Sequence, residues 1–163
     1  MARLLEMVPT TGAHLRFIAE CFRPEERLEC MASWGEEPLV ALTRSWLFSK
    51  EAYTCVTPDG QPLCVWGIND ELRSEGFFVD DWAEFWLLGT TDILKHKIAF
   101  LRACRDWKPL IAATYPRLRS HIDASYDLSL RWAKWLGCEI CAPAPFGKNG
   151  ALFCEVRLEW AAQ

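Results

Sequence analysis

The chain has 163 residues, 51% of them apolar and 25% charged, which suits one globular domain around a single core. Its 18 Lys and Arg against 22 Asp and Glu leave a net charge of −4, which argues against a general nucleic-acid binder. No apolar run approaches the roughly 20 residues that a membrane-spanning helix needs. The charge is uneven: residues 1–82 carry 7 basic and 14 acidic side chains, residues 83–163 carry 11 and 8, so a phosphate-bearing ligand would favour the second half.

In chain order, Arg3 to Val8 reads as an edge strand, and Pro9-Thr10-Thr11-Gly12 as a turn able to cap a helix. Leu15, Ile18, Ala19 and Phe22 recur at helical spacing. Pro24 stops that helix and opens another at its first turn, where Glu25 and Glu26 suit a helix N-terminus. Gly35 ends the second helix. Pro38 starts a third, with Leu39, Leu42, Trp46 and Leu47 as its apolar face. The period then changes to two. Ala52–Val56 and Pro62–Trp66 flank Thr57-Pro58-Asp59-Gly60-Gln61 and predict a hairpin. Asn69 to Asp81, with five acids, reads as a polar loop.

Ala83 to Leu88 is a short aromatic run expected to be a central strand. Gly89-Thr90-Thr91-Asp92 breaks it and caps a long helix predicted over Thr90 to Thr114, with Ile93, Leu94, Ile98, Leu101 and Cys104 as its buried stripe. A strand-to-helix junction of this kind is a natural anion site, because the first N–H groups of a helix lack internal partners. Pro109 is expected to kink or restart the helix. Arg117 to Ala124 predicts a strand. Ser125-Tyr126-Asp127 then caps a helix with Leu128, Trp132, Trp135 and Leu136 on one face, ended by Gly137. Glu139–Phe146 and Ala151–Trp160 read as a closing hairpin around Gly147-Lys148-Asn149-Gly150, with Leu152, Cys154, Val156 and Leu158 on the buried face.

Eight cysteines are present, and only Cys138 and Cys141 have C-x-x-C spacing. With no signal peptide ahead of them, they read as reduced core residues of a protein made in the cytosol. His14, His96 and His121 show no ligand spacing, so no metal is expected. Nine tryptophans and nine phenylalanines are many for this length. Phe77, Phe78, Trp82 and Trp160 are candidates for a contact surface with a protein partner.

The element order of strand, helices, hairpin, strand, long helix, strand, helix and last hairpin resembles the GNAT (N-acetyltransferase) fold. This is an α+β (α/β) domain with a mixed, mostly antiparallel sheet flanked by helices, here expected to span residues 1–163. Ser129-Leu130-Arg131-Trp132-Ala133-Lys134-Trp135-Leu136-Gly137 looks like that fold's late helix and its corner. The layout from Tyr115 to Gly137 is similar to that of the acetyltransferase-like internal virion proteins of short-tailed bacteriophages, and the likeness covers roughly residues 50–158. It implies a virion protein, made in the host cytoplasm, in symmetric multi-copy contact with other virion proteins and with neither nucleic acid nor membrane.

Active GNAT enzymes carry Arg/Gln-x-x-Gly-x-Gly/Ala at the junction after the fourth strand, where backbone donors hold the pyrophosphate of acetyl-CoA. Here Leu88, Gly89, Thr90 and Thr91 stand there, followed by Asp92. One glycine remains, and a carboxylate sits where phosphates would approach. The positions of the family's asparagine and proton-donating tyrosine hold Tyr126 and Ala133, and Tyr126, as a phenol, is the candidate substitute acid. Glu84 and Asp123 are the carboxylates available as a general base. The residues leave two readings. One is a catalytically degenerate GNAT domain with no cofactor, serving as a structural component of the particle. The other is an active acetyl-CoA-dependent N-acyltransferase acting on a host protein or a small amine, with oxyanion donors from the Leu87-Leu88 backbone.

Overall fold

The computed structural model describes residues 4–69 and 81–160. The predicted loop 70–80 and the candidate contact residues Phe77 and Phe78 lie outside them. Eight strands form one sheet in the order β1-β2-β3-β4-β5-β8-β6, with β7 also on β8. These are β1 (Glu6–Pro9), β2 (Glu51–Val56), β3 (Pro62–Asn69), β4 (Ala83–Gly89), β5 (Arg117–Asp123), β6 (Glu139–Ile140), β7 (Ala144–Phe146) and β8 (Ala151–Glu159). Every pairing is antiparallel except that of β4 with β5. The helices are α1 (Gly12–Glu20), α2 (Pro24–Ser33), α3 (Pro38–Leu47), α4 (Lys97–Thr114) and α5 (Asp127–Trp135). The fold is thus the α+β sandwich that the element order predicts.

Local chemistry explains most boundaries. Thr11 caps α1 through its hydroxyl, and His14 returns the bond to the Thr11 N–H. Pro24 and Pro38 occupy the first turns of α2 and α3, where a missing N–H costs nothing. Gly60 supplies the positive φ of the β2–β3 turn, and Gly137 that of the corner after α5. β3 is buried on both faces: Val65 packs against Leu15, Ile18, Ala41 and Leu42 of α1 and α3, while Trp66 and Ile68 pack on Tyr115 and Leu118.

Several expected faces are rotated. The segment predicted as one helix from Thr90 begins as a 3-10 turn over Thr91–His96, and α4 starts at Lys97. The tighter turn shifts the angular phase, so Leu94 and Ile98 are exposed while Ile93, Phe100 and Ala103 are buried. On α3, Leu39 and Leu47 are exposed and Pro38, Ala41 and Leu42 face the core. On α5, Leu128 and Trp135 are exposed, and Leu130 and Ala133 pack inward on Ile122 and Val156. Glu139–Phe146 is two short strands, because a run with prolines at 143 and 145 cannot hold an unbroken ladder. β8 buries Phe153 as well as Cys154 and Val156 and exposes Leu152, since both of its faces are partly covered. Trp160 is partly buried against the core beside Leu158, and the Arg117 and Arg157 guanidinium groups lie over the Trp82 ring at 5.9 and 5.7 Å. All eight cysteines are free thiols.

Candidate functional site

The site begins with a defect in the sheet. β4 and β5 pair only at Ala83 with Leu118 and Glu84 with Arg119, although β4 runs on to Gly89 and β5 to Asp123. Past Glu84 the two parallel strands share no further pairs, while β4 stays paired with β3 and β5 with β8. The gap is the middle of a cavity of about 1110 Å³ that extends to both faces of the sheet. One wall carries Phe100 of α4 and Trp132 of α5, whose rings stack at 6.1 Å; the other carries Arg23, Glu26 and Glu29 of the α2 region.

Strand alternation fixes which backbone groups face the gap. The Thr90 N–H donates to Leu63 O on β3 at 2.8 Å, so Leu88, of the same parity, also faces β3. Gly89 turns the other way, and Leu87 shares its direction. Of the expected Leu87-Leu88 backbone donors, therefore, only Leu87 lies on the cleft edge.

The cleft edge of Gly89 is occupied from within the chain. Its N–H donates to Glu26 Oε2 at 2.6 Å, and its carbonyl accepts from the Arg23 N–H at 3.2 Å. The Thr91 N–H donates to Cys21 O at 3.3 Å, so residues 21–23 lie along the end of β4 like a short added strand. Opposite, Glu29 Oε2 accepts from the Asp123 N–H at 3.0 Å. Glu26 and Glu29, three residues apart on one face of α2, thus bind the ends of the two separated strands.

Burial sets the charge state of this pair. Glu26 is 3% exposed and is pushed up to about 8, chiefly by loss of water; its bond from Gly89 and the Arg23 guanidinium 3.7 Å away oppose this. Glu29 is half-buried and is pushed up to about 7 by desolvation, against the bond from the Asp123 N–H and with the Asp123 charge adding to the rise. Tyr126 is 6% exposed, and its hydroxyl is buried without a hydrogen-bond partner among the described residues. Burial, then the neighbouring Glu26, raise its pKa, so the phenol keeps its proton. The Arg23 guanidinium lies over its ring at 5.3 Å.

The sequence candidates fall around this centre unequally. Tyr126 lines the cavity beside Glu26. Glu84 is bound to Arg119 in a short ion pair at 2.5 Å. The Asp123 carboxylate turns away to accept from the Ser125 N–H and hydroxyl at 2.8 and 2.6 Å, which caps the approach to α5. Neither carboxylate is placed as a free base. His121 faces Glu155 at 3.7 Å and stacks on Phe146 at 4.0 Å; it makes no pair with Asp123. The reading of Glu26 as a helix-terminal charge, with no part assigned to Glu29, missed both. Their only sequence signal is that Glu26, Cys30 and Ser33 recur at i, i+4 and i+7, the spacing of one buried face.

Known structures share this architecture. A ribosomal-protein-alanine N-acetyltransferase of Brucella melitensis matches at TM-score 0.68 and 15% identity, over 95% of this chain and 99% of that one. The acetyltransferase (GNAT family) of Bacillus anthracis matches at 0.67 and 8%, over 98% and 96%. The chain has the GNAT N-acetyltransferase fold. YncA of Salmonella typhimurium, assigned as an acetyltransferase and solved with its cofactor acetyl-CoA, shares the GNAT architecture at TM-score 0.67 and 14% identity, over 98% and 95%. No protein-family model and no curated protein matches the sequence.

The GNAT fold raises the question of acyl-CoA, and the residues answer it in two halves. The wide gap with the Leu87 edge has room for an extended acyl carrier. The phosphate-bearing half does not fit. Leu88 faces β3, and the N–H groups of Gly89, Thr90 and Thr91 are all bonded inside the chain. The next side chain, Asp92, bonds Lys95 at 2.7 Å and the Gln61 amide at 2.9 Å; these hydrogen bonds hold its pKa below the usual carboxylate value and keep it anionic. A second anion brought beside it would meet like charge, which the Lys95 ammonium partly offsets.

Proposed function

We propose that this chain uses the GNAT fold as a non-catalytic scaffold, a structural component of a phage particle that contacts other virion proteins in several symmetric copies. One observation carries the loss of acyl-CoA chemistry: the cofactor-facing end of β4 is closed by the chain's own Arg23 and Glu26. The place in the particle rests on the sequence layout from Tyr115 to Gly137, which resembles that of internal virion proteins of short-tailed phages. Exposed aromatic side chains at Trp34, Phe48 and Trp135 offer contact area. Calorimetric titration with acetyl-CoA is the test. No heat of binding at millimolar ligand is expected, and micromolar binding overturns the reading. Purified particles should contain the protein at a fixed stoichiometry, and its absence from them removes the virion role.

A second reading, an N-acyltransferase acting on an amine, is favoured by one feature: a cavity between β4 and β5 lined by a near-neutral carboxylate, Glu29, and a protonated phenol, Tyr126. It requires α2 to release the end of β4 before any cofactor enters.

A further inference from the structure

The underside of α2 is unlike that of any other helix here. Arg23, Glu26 and Ser33 are buried polar residues, and Cys30 is the only α2 side chain in the buried apolar clusters of the described residues. Apolar packing therefore does little to hold this helix, and polar contacts at three places do. At its start, the Arg23 N–H bonds Gly89 O and the Thr91 N–H bonds Cys21 O. In the middle, Glu26 and Glu29 take the N–H groups of Gly89 and Asp123. At its end, Ser33 O accepts from the Lys148 N–H at 2.8 Å, and Trp34 sits edge-on to Phe146 at 6.4 Å. Ten residues of helix, about 15 Å long, thus lie like a strap across the mouth where β4 and β5 part.

We propose that α2 is a proton-operated strap: it closes the cleft between β4 and β5 when Glu26 and Glu29 carry protons and is released as they ionise. The charged and titratable groups facing the pair are Arg23, Glu25 and Cys30 on the same segment, Tyr126 before α5, Asp123 on β5 and Cys64 on β3. Arg23 alone among them is a cation. It lies 3.7 Å from Glu26, so ionising both carboxylates leaves two negative charges, one buried and one half-buried, against one positive charge. In the released helix both carboxyls meet water and return to the ordinary carboxylate value near 4.5. The closed form therefore binds more protons. Its advantage is full below about pH 4.5 and is lost as pH rises through about 7 for Glu29 and about 8 for Glu26. Whether or not the cleft admits acyl-CoA, the strap decides when it is open.

Amide hydrogen exchange of the full chain, corrected for the intrinsic pH dependence of exchange, tests this. Protection of the Gly89 and Asp123 amides, the two donors to the carboxylates, should fall between pH 5 and 8 by up to about tenfold per pH unit for each carboxylate and level off above. Protection of the β3 amides should stay constant. In the double variant E26Q/E29Q, whose amide carbonyls still accept the two bonds, the slope should vanish; if that protein does not fold, each single variant should remove one proton's worth of slope. Equal slopes in wild type and variants overturn the proposal, as does a parallel loss of protection in β3, which would mark global unfolding.

Discussion

At the scale of single residues, the cleft contains two polar side chains, Glu26 and Tyr126, whose burial has opposite consequences. Glu26 satisfies a buried N–H, so Glu26→Ala leaves the Gly89 donor without an acceptor and should cost about 1–3 kcal/mol in urea unfolding at pH 6. Glu26→Gln keeps the acceptor and should cost much less. Tyr126 is the reverse case, because its hydroxyl is buried without a partner among the described residues. Tyr126→Phe removes that unsatisfied group while keeping the ring under Arg23, and should leave stability unchanged or raise it by up to about 1 kcal/mol. A clear loss of stability would reveal a bond to the hydroxyl.

At the scale of elements, the contact between α2 and the β7–β8 turn depends on one glycine. Gly147 has φ 78°, and a Cβ there would stand 2.6 Å from Ser33 Cα and Ser33 O. Backbone at both ends of that contact cannot swing aside as a side chain would. Gly147→Ala should therefore destabilise by about 1–3 kcal/mol from overpacking, on top of the left-handed backbone strain, and should loosen the C-terminal end of α2. Gly150, in the same turn with φ 66°, has open space where its Cβ would be. Gly150→Ala should cost only the strain, about 1–2 kcal/mol. Unfolding curves of the two variants separate close packing from conformation.

At the scale of the whole molecule, the Glu26–Glu29 pair and a half-buried histidine pull the pH dependence in opposite directions. Glu26 and Glu29 have raised folded values, so their contribution is full below about pH 4.5 and is lost as pH rises through about 7 and 8. Burial lowers His121 below its ordinary 6.5, so the folded state resists its protonation and loses stability as pH falls below that value. Thermal unfolding should accordingly pass through a maximum on the acid side of neutrality. The E26Q/E29Q variant should hold its midpoint between pH 6 and 8.5 where the wild type declines.

Most elements were legible because their signals are local. Pro24 and Pro38 open helices, Gly60 turns a hairpin, Gly137 ends α5, and period-two runs make the strands. The buried faces of α3, α4 and α5 were less legible. Burial there depends on the direction from which the sheet approaches, and a six-residue 3-10 turn rotates the phase of α4 behind it. The site was the least legible. Tyr126 could be read as a substitute acid from its residue type alone, whereas Glu26 looked like a charge at a helix start and Glu29 carried no signal. The sequence by itself determined the order of elements, and with it the GNAT architecture, because caps, turns and periodicity act within a few residues. Only the tertiary structure decided what fills the gap between β4 and β5. That depends on a helix some sixty residues before Gly89 and over ninety before Asp123 folding back across both strands, where loss of water makes its two carboxylates hold protons.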